Sequence, residues 1–197
     1  RLCMDKYGVT SRDLSIVSVK NHANACLNPN AHIKAIVKLE RITDERIINA
    51  TNPLVADPLR QYDMCPVSDG AAAVLLVAKD KQEELGFGDK KFVRIAGVGS
   101  ATDTHVVANR EVPTDLLAVR LSAQMAYKMA GVGPEDIDVA ELHDAFQILE
   151  IEESEEVGLF PRGTGHLAAR EGKTEIHGEM PINTSGGLKA KGHPLGA

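Results

Sequence analysis

The sequence predicts an α/β protein with a largely parallel sheet. Three observations lead there. The apolar runs Ala71–Val77 and Phe92–Val98 lack polar alternation, as strands buried on both faces do. Stretches of helical period alternate with them along the chain. Aromatic residues make up only 4% and Trp is absent, so the core is aliphatic and rich in Ala and Gly, which suits closely packed α/β layers.

Each element has a local reason. Residues 1–30 read as helical: "TSRDLSIVSVKNHANACLNP" opens on Thr10 or Ser11 as N-cap with Asp13 in the first turn. It stops at Asn28-Pro29, because a proline disfavours the α conformation of the residue before it. Residues 31–68 are irregular and marked by Pro53, Pro58 and Pro66, the pattern of a functional or packing loop region. A short charged helix, Lys79–Leu85, follows the first strand and is closed by Gly86. The clearest helix begins at Pro113-Thr114-Asp115 with Thr114 as cap. Its apolar stripe is Leu117, Leu121, Met125 and Met129, and Gly131 ends it. Asp136–Leu142 reads as a strand, "DAFQILEIEESEEVG" as a helix starting straight after His143, and "EMPIN" as a last short strand entering a glycine loop.

Composition sets the bounds. The chain of 197 residues is 43% hydrophobic and 25% charged, as expected of a soluble globular protein. A formal charge of −6 without a Lys/Arg run argues against general nucleic-acid binding. The longest apolar run, Ala71–Ala78, is too short for a membrane span, and no signal peptide or lipidation motif is visible. Three cysteines, Cys3, Cys26 and Cys65, form no C-x-x-C pair, which fits a reducing, cytoplasmic compartment. The seven histidines contain no H-x-x-x-H, so no metal site is expected. Gly97-Val98-Gly99 lacks the third glycine of a dinucleotide fingerprint, and no G-x-S-x-G elbow occurs. His22 is expected to be structural and His166 and His177 solvated. The glutamates at 150, 152, 153, 155 and 156 are expected to spread over a solvated outer helix face.

Two histidines stand out. His143 lies where a strand is expected to run into a helix, at the sheet edge where open α/β proteins bind ligands. The positive end of a helix would favour a neutral imidazole there, able to donate to a developing oxyanion. His193 sits between Gly192 and Pro194 after Gly186 and Gly187; the proline restricts its backbone and so aims the side chain. Taken singly, the first is equally a capping or core histidine, and the second a surface histidine on a glycine turn.

Read together they acquire a context. Ser68-Asp69-Gly70-Ala71-Ala72-Ala73, His143-Asp144-Ala145-Phe146, Asn183-x-x-Gly186-Gly187 and Gly192-His193-Pro194-Leu195-Gly196-Ala197 occur in an order that resembles the thiolase family. "KNHANACLNP" and "ADPLRQYDMCPVSDGAA" add to the likeness, which is strongest to the sterol-carrier-protein-x and archaeal acetoacetyl-CoA thiolase branch. The resemblance implies a layered α-β-α-β-α fold, present in part. Residues 1–55 would be the tail of an inserted helical loop domain, 56–89 the end of the N-terminal half, and 90–197 the start of the C-terminal half.

The implied chemistry is a Claisen condensation, or its thiolytic reverse, on acyl-CoA thioesters. Coenzyme A and acyl-CoA are substrates, with no permanently bound cofactor. His193 matches the histidine that supports a thiolate and donates to the thioester oxygen, and His143 matches an oxyanion-hole position. Ala145, Phe146 and Gly187 would line the substrate channel. Both catalytic cysteines of the family fall in segments outside residues 1–197, and Cys3, Cys26 and Cys65 are not expected to replace them. The resemblance further implies a homodimer or homotetramer, with an OB-fold zinc-ribbon protein and hydroxymethylglutaryl-CoA synthase as partners. The alternative is an inactive CoA-binding or scaffolding subunit.

Overall fold

The structure is a computed structural model that describes residues 1–87 and 92–194. The last three residues of the glycine-histidine motif, and the expected boundary at residues 88–89, lie outside them. The chain folds around one central helix. Helix α1 (Leu2–Tyr7) ends at Gly8 in the left-handed conformation and leads into α2 (Ser11–Leu27). A capping box starts α2, Thr10 and Asp13 satisfying each other's backbone N–H groups, and Asn28 ends it as expected.

Helix α2 contacts α3 (Leu39–Thr43), α6 (Gln147–Glu156), α7 (Gly165–Arg170) and α8 (Gly187–Lys191). Surrounded in this way it keeps only a narrow exposed stripe, Arg12, Ala23, Cys26 and Leu27, and that stripe does not separate polar from apolar residues. It buries Asp13, Ser15, Ser18, Lys20, Asn21, His22 and Asn24 beside Leu14 and Val17. Lys20, Asn21 and Asn24 find partners in the segments that carry the site, and Asp13 pairs with Arg170, whereas the Ser18 hydroxyl and the His22 ring have no hydrogen-bond partner among the described residues. One aliphatic cluster joins Cys3, Val9, Leu14, Val17, Ile151 and Ala169; a second joins Phe160, Ala168, Met180 and Ile182. Burying an aliphatic side chain such as Ile182 contributes about 1.5–3 kcal/mol.

The loop region 31–68 contains α3, α4 (Ile48–Thr51) and a two-stranded antiparallel sheet, β1 (Leu54–Ala56) with β2 (Leu59–Arg60). It is the only sheet among the described residues. The expected strands Ala71–Val77 and Phe92–Val98 take no regular structure and pair with no described residue, and Val74 (83%) and Val93 (97%) stand exposed. Their apolar pattern fits a central strand, yet a strand is completed only by hydrogen-bonded neighbours, and none of the described residues supplies them. Strand 136–142 and the "EMPIN" strand reduce to one parallel bridge, Ala140 with Ile182.

Helix Lys79–Leu85 is a single 3-10 turn, Lys79–Lys81, followed by turns; Gly86, at φ +71°, does end it. Helix α5 (Leu117–Ala130) terminates at Gly131 as expected, but Leu116 rather than Thr114 is its N-cap. Arg162 donates to the Thr114 carbonyl and pairs with Asp115, which holds this stretch in a turn. The stripe Leu117, Leu121, Met125 and Met129 is exposed. The chain instead packs on α5 through Gly97 and Gly99, where a Cβ would collide with the carbonyls of Ala126 and Ser122. Gly97 and Gly99, too few for a dinucleotide fingerprint, are helix-packing glycines.

Candidate active site

The segment Met64–Val67 organises the site. Its Cys65 N–H donates to the Ala145 carbonyl at 2.9 Å, and Met64 bridges Phe146 in antiparallel fashion. On its other side Pro66 accepts the His193 N–H at 2.8 Å, and Val67 bridges His193 in parallel. One extended strip therefore lies between the two histidine-bearing loops. Because Ala145 and Phe146 are held against it, α6 begins only at Gln147, with Phe146 as N-cap. His143 is thus not on the first turn of a helix, contrary to expectation, and the helix dipole is not what disposes its charge.

The two imidazoles meet. The ring centroids of His143 and His193 are 5.0 Å apart with the planes 82° to one another, edge against face. The His143 N–H donates to Glu153 Oε2 at 2.8 Å, which fixes the backbone beneath the ring. His143 stays exposed overall, but partial loss of solvent, with His193 next to it, lowers its pKa below the ordinary value. A neutral His143 at pH 7 offers one N–H donor and one lone pair. Burial pushes Glu153 up to about 7.

Behind the rings runs a polar network on α2. Lys20 donates to Glu150 Oε1 at 2.6 Å and to the Ile182 carbonyl at 2.7 Å. Asn21 donates to Asp144 Oδ2 and to Glu150 Oε2, each at 2.9 Å, and Asn183 reaches Glu150 Oε2 at 2.8 Å. Asn183, at φ +53°, accepts the Leu142 N–H and donates its own N–H to Ala140. Removing one partner of a buried pair such as Lys20–Glu150 costs about 3–5 kcal/mol.

This network overturns the reading of the acidic run. Each of the five carboxylates has a partner: Glu150 has Lys20, Glu152 the Cys3 thiol, Glu153 the His143 N–H, Glu155 the Gly163 and Gly165 N–H groups, and Glu156 Arg120 and Arg162. His166 is likewise buried, at 3% exposure in α7, instead of solvated, whereas His177 is exposed. His22 is in the interior, 5.7 Å from the Tyr62 ring.

Ala145 is held through its carbonyl, and Phe146 projects a half-exposed ring. Gly187, at φ +61°, lies against Asp144, where a Cβ would come within 2.5 Å of the carboxylate. Asp144, Glu150, Glu153, Lys20 and Asn21 belong to the site through contacts that no local sequence pattern marks. Burial raises the Asp144 and Cys65 pKa values, and the Cys3 thiol is pushed up to about 12, so neither cysteine is disposed to the thiolate. Among the described residues no three His, Cys, Asp or Glu side chains are grouped to hold a metal ion, and no helix is long and apolar enough to cross a membrane.

Residues 99–197 match the family described as thiolase C-terminal domain-like. The chain belongs to the thiolase family. It is 42% identical to an acetyl-CoA acetyltransferase of Methanothermobacter thermautotrophicus over 98% of this chain and 48% of that protein. It is 34% identical to the benzoylsuccinyl-CoA thiolase subunit BbsB of Thauera aromatica, over the same shares of each. The chain thus spans about half the length of the curated relatives it matches. Among solved structures it is similar to the Ltp2-ChsH2(DUF35) aldolase, with TM-score 0.83 and 30% identity over 97% of this chain and 49% of that one. A monomeric SCP2-thiolase-like protein of Mycobacterium smegmatis shares the fold, with TM-score 0.72 and 17% identity over 97% and 39% of the two chains. The fold is therefore thiolase-like and partial.

Proposed function

We propose that His143 and His193 form the oxyanion site of an acyl-CoA acyltransferase, and that the parent protein cleaves or forms 3-ketoacyl-CoA such as acetoacetyl-CoA. The observation that carries this reading is the ring pair at 5.0 Å, drawn from loops fifty residues apart in sequence. In thiolysis a cysteine thiolate, supplied by the longer protein, adds to the C3 carbonyl. The C2–C3 bond then breaks, and its electron pair moves onto the thioester as an enolate. Donors fixed where that oxygen becomes negative stabilise the enolate, and one such donor is worth about 2.7–4 kcal/mol. A second cysteine gives its thiol proton to C2; it then takes the proton of an incoming CoA thiol, whose sulfur accepts the acyl group and frees the first cysteine as thiolate. Ala145, Phe146 and Gly187 border the acyl and pantetheine path, residues 56–89 close one thiolase half, and 90–197 belong to the other.

In the parent protein, His193→Ala or His143→Ala should lower the turnover of acetoacetyl-CoA with CoA by about 10²–10³-fold. Near-normal turnover in both defeats the assignment.

A second reading is supported by the similarity to the Ltp2-ChsH2(DUF35) aldolase. Retro-aldol cleavage of a 3-hydroxyacyl-CoA releases the same thioester enolate without needing a nucleophilic cysteine. A panel pairing 3-ketoacyl-CoA with 3-hydroxyacyl-CoA substrates separates the two. BbsB is named a subunit and Ltp2 is paired with a DUF35 chain, which supports assembly with a partner in addition to self-association.

A further inference from the structure

We propose that Asp144 is a positioning residue that sets the distance between the two imidazoles, an inference that rests on the oxyanion reading above. The carboxylate is wholly buried, at 0% exposure, and three donors from two directions converge on it. Oδ1 accepts the Leu188 N–H at 2.6 Å, while Oδ2 accepts the Lys189 N–H at 3.3 Å and the Asn21 amide at 2.9 Å. Leu188 and Lys189 lie in the short helix α8 that delivers the chain, through Gly192, to His193. Asp144 itself directly follows His143. A single side chain therefore ties the backbone of one histidine loop to that of the other, and Asn21 anchors it to α2.

The surroundings leave the carboxylate little freedom. Gly187 has no Cβ where one would stand 2.5 Å from Oδ1. Asn21 divides its amide between Asp144 and Glu150, and Glu150 also holds Asn183, whose side chain accepts the Leu142 N–H one residue before His143. An asparagine at 144 keeps one acceptor oxygen but turns the other position into a donor facing N–H groups, so the tie is lost without loss of volume. Misplacing a catalytic group by about 1 Å is worth about 10²-fold in rate.

The test uses the parent protein with ring-labelled histidines. Asp144→Asn is expected to lower kcat by about 10²-fold with KM changed less than about threefold, and to weaken the cross-peak between the His143 and His193 ring protons in NMR spectra. Asn21→Ala, which keeps the carboxylate and removes one anchor, should move both readouts the same way by less, and it carries the test if Asp144→Asn fails to fold. A folded Asp144→Asn protein, or failing that a folded Asn21→Ala protein, with normal kcat and an unchanged ring-to-ring cross-peak overturns the inference. If His143→Ala and His193→Ala keep normal turnover, it is the oxyanion reading that fails. The cross-peak still reports whether Asp144 sets the spacing of the rings.

Discussion

At the scale of single residues, burial decides which charges and lone pairs matter. His22 is 4% exposed, and neither ring nitrogen has a hydrogen-bond partner. Burial, helped by the nearby Lys189 ammonium, lowers its pKa from 6.5 to about 4. Between those values the unfolded chain takes up a proton that the native imidazole refuses, so acid destabilises the fold across that window. Glu153, raised from 4.5 to about 7, runs the other way: the native carboxyl holds its proton longer, and stability declines as pH rises through that range. Urea titrations of the wild type and His22→Leu at several pH values should therefore diverge. The wild type should lose more stability than the variant between pH 6.5 and 4, and parallel curves would refute the role of His22.

At the scale of elements, close approach of backbones replaces the interlocking side chains that periodicity suggests. The four-residue stripe of α5 stays exposed, while the helix is touched beside it, at Ser122, Met125 and Ala126, by Gly97 and Gly99. A methyl group at either glycine meets backbone carbonyl, which cannot rotate away. Gly99→Ala should cost about 1–3 kcal/mol, the usual range for overpacking. Amide exchange should locate the damage in residues 117–130, and unchanged protection of α5 would show that the helix is held elsewhere. The same element-scale logic explains why α6 starts late: pairing of 145–146 with 64–65 competes with the helix for those backbone groups and wins.

At the scale of the whole molecule, the chain presents two apolar segments, 71–77 and 92–98, that join no sheet among the described residues. Val74, Leu75, Leu76, Val93 and Ile95 are all exposed on them. Unpaired segments of this composition are templates for pairing with other chains. The 197-residue chain made alone is expected to self-associate, and Val74→Lys combined with Val93→Lys should shift it toward monomer in light scattering after size exclusion. A purely monomeric wild type at about 100 μM, well within the range where such edges associate, would count against it.

What the sequence determined by itself is local or carried by motif. Thr10, Asp13, Asn28, Gly86 and Gly131 set the ends of their elements, because caps and left-handed residues act within one turn of chain. The motif order led to the thiolase family and to His143 and His193 as a pair. Only the tertiary structure decided which groups face one another. That the strip Met64–Val67 lies between Ala145 and His193, that Asp144 reaches α8, and that five glutamates of one helix are all engaged depend on contacts between residues up to about 150 positions apart. Periodicity records which face of an element is apolar. It does not record what stands opposite, and the partners of buried polar groups are set by that opposition.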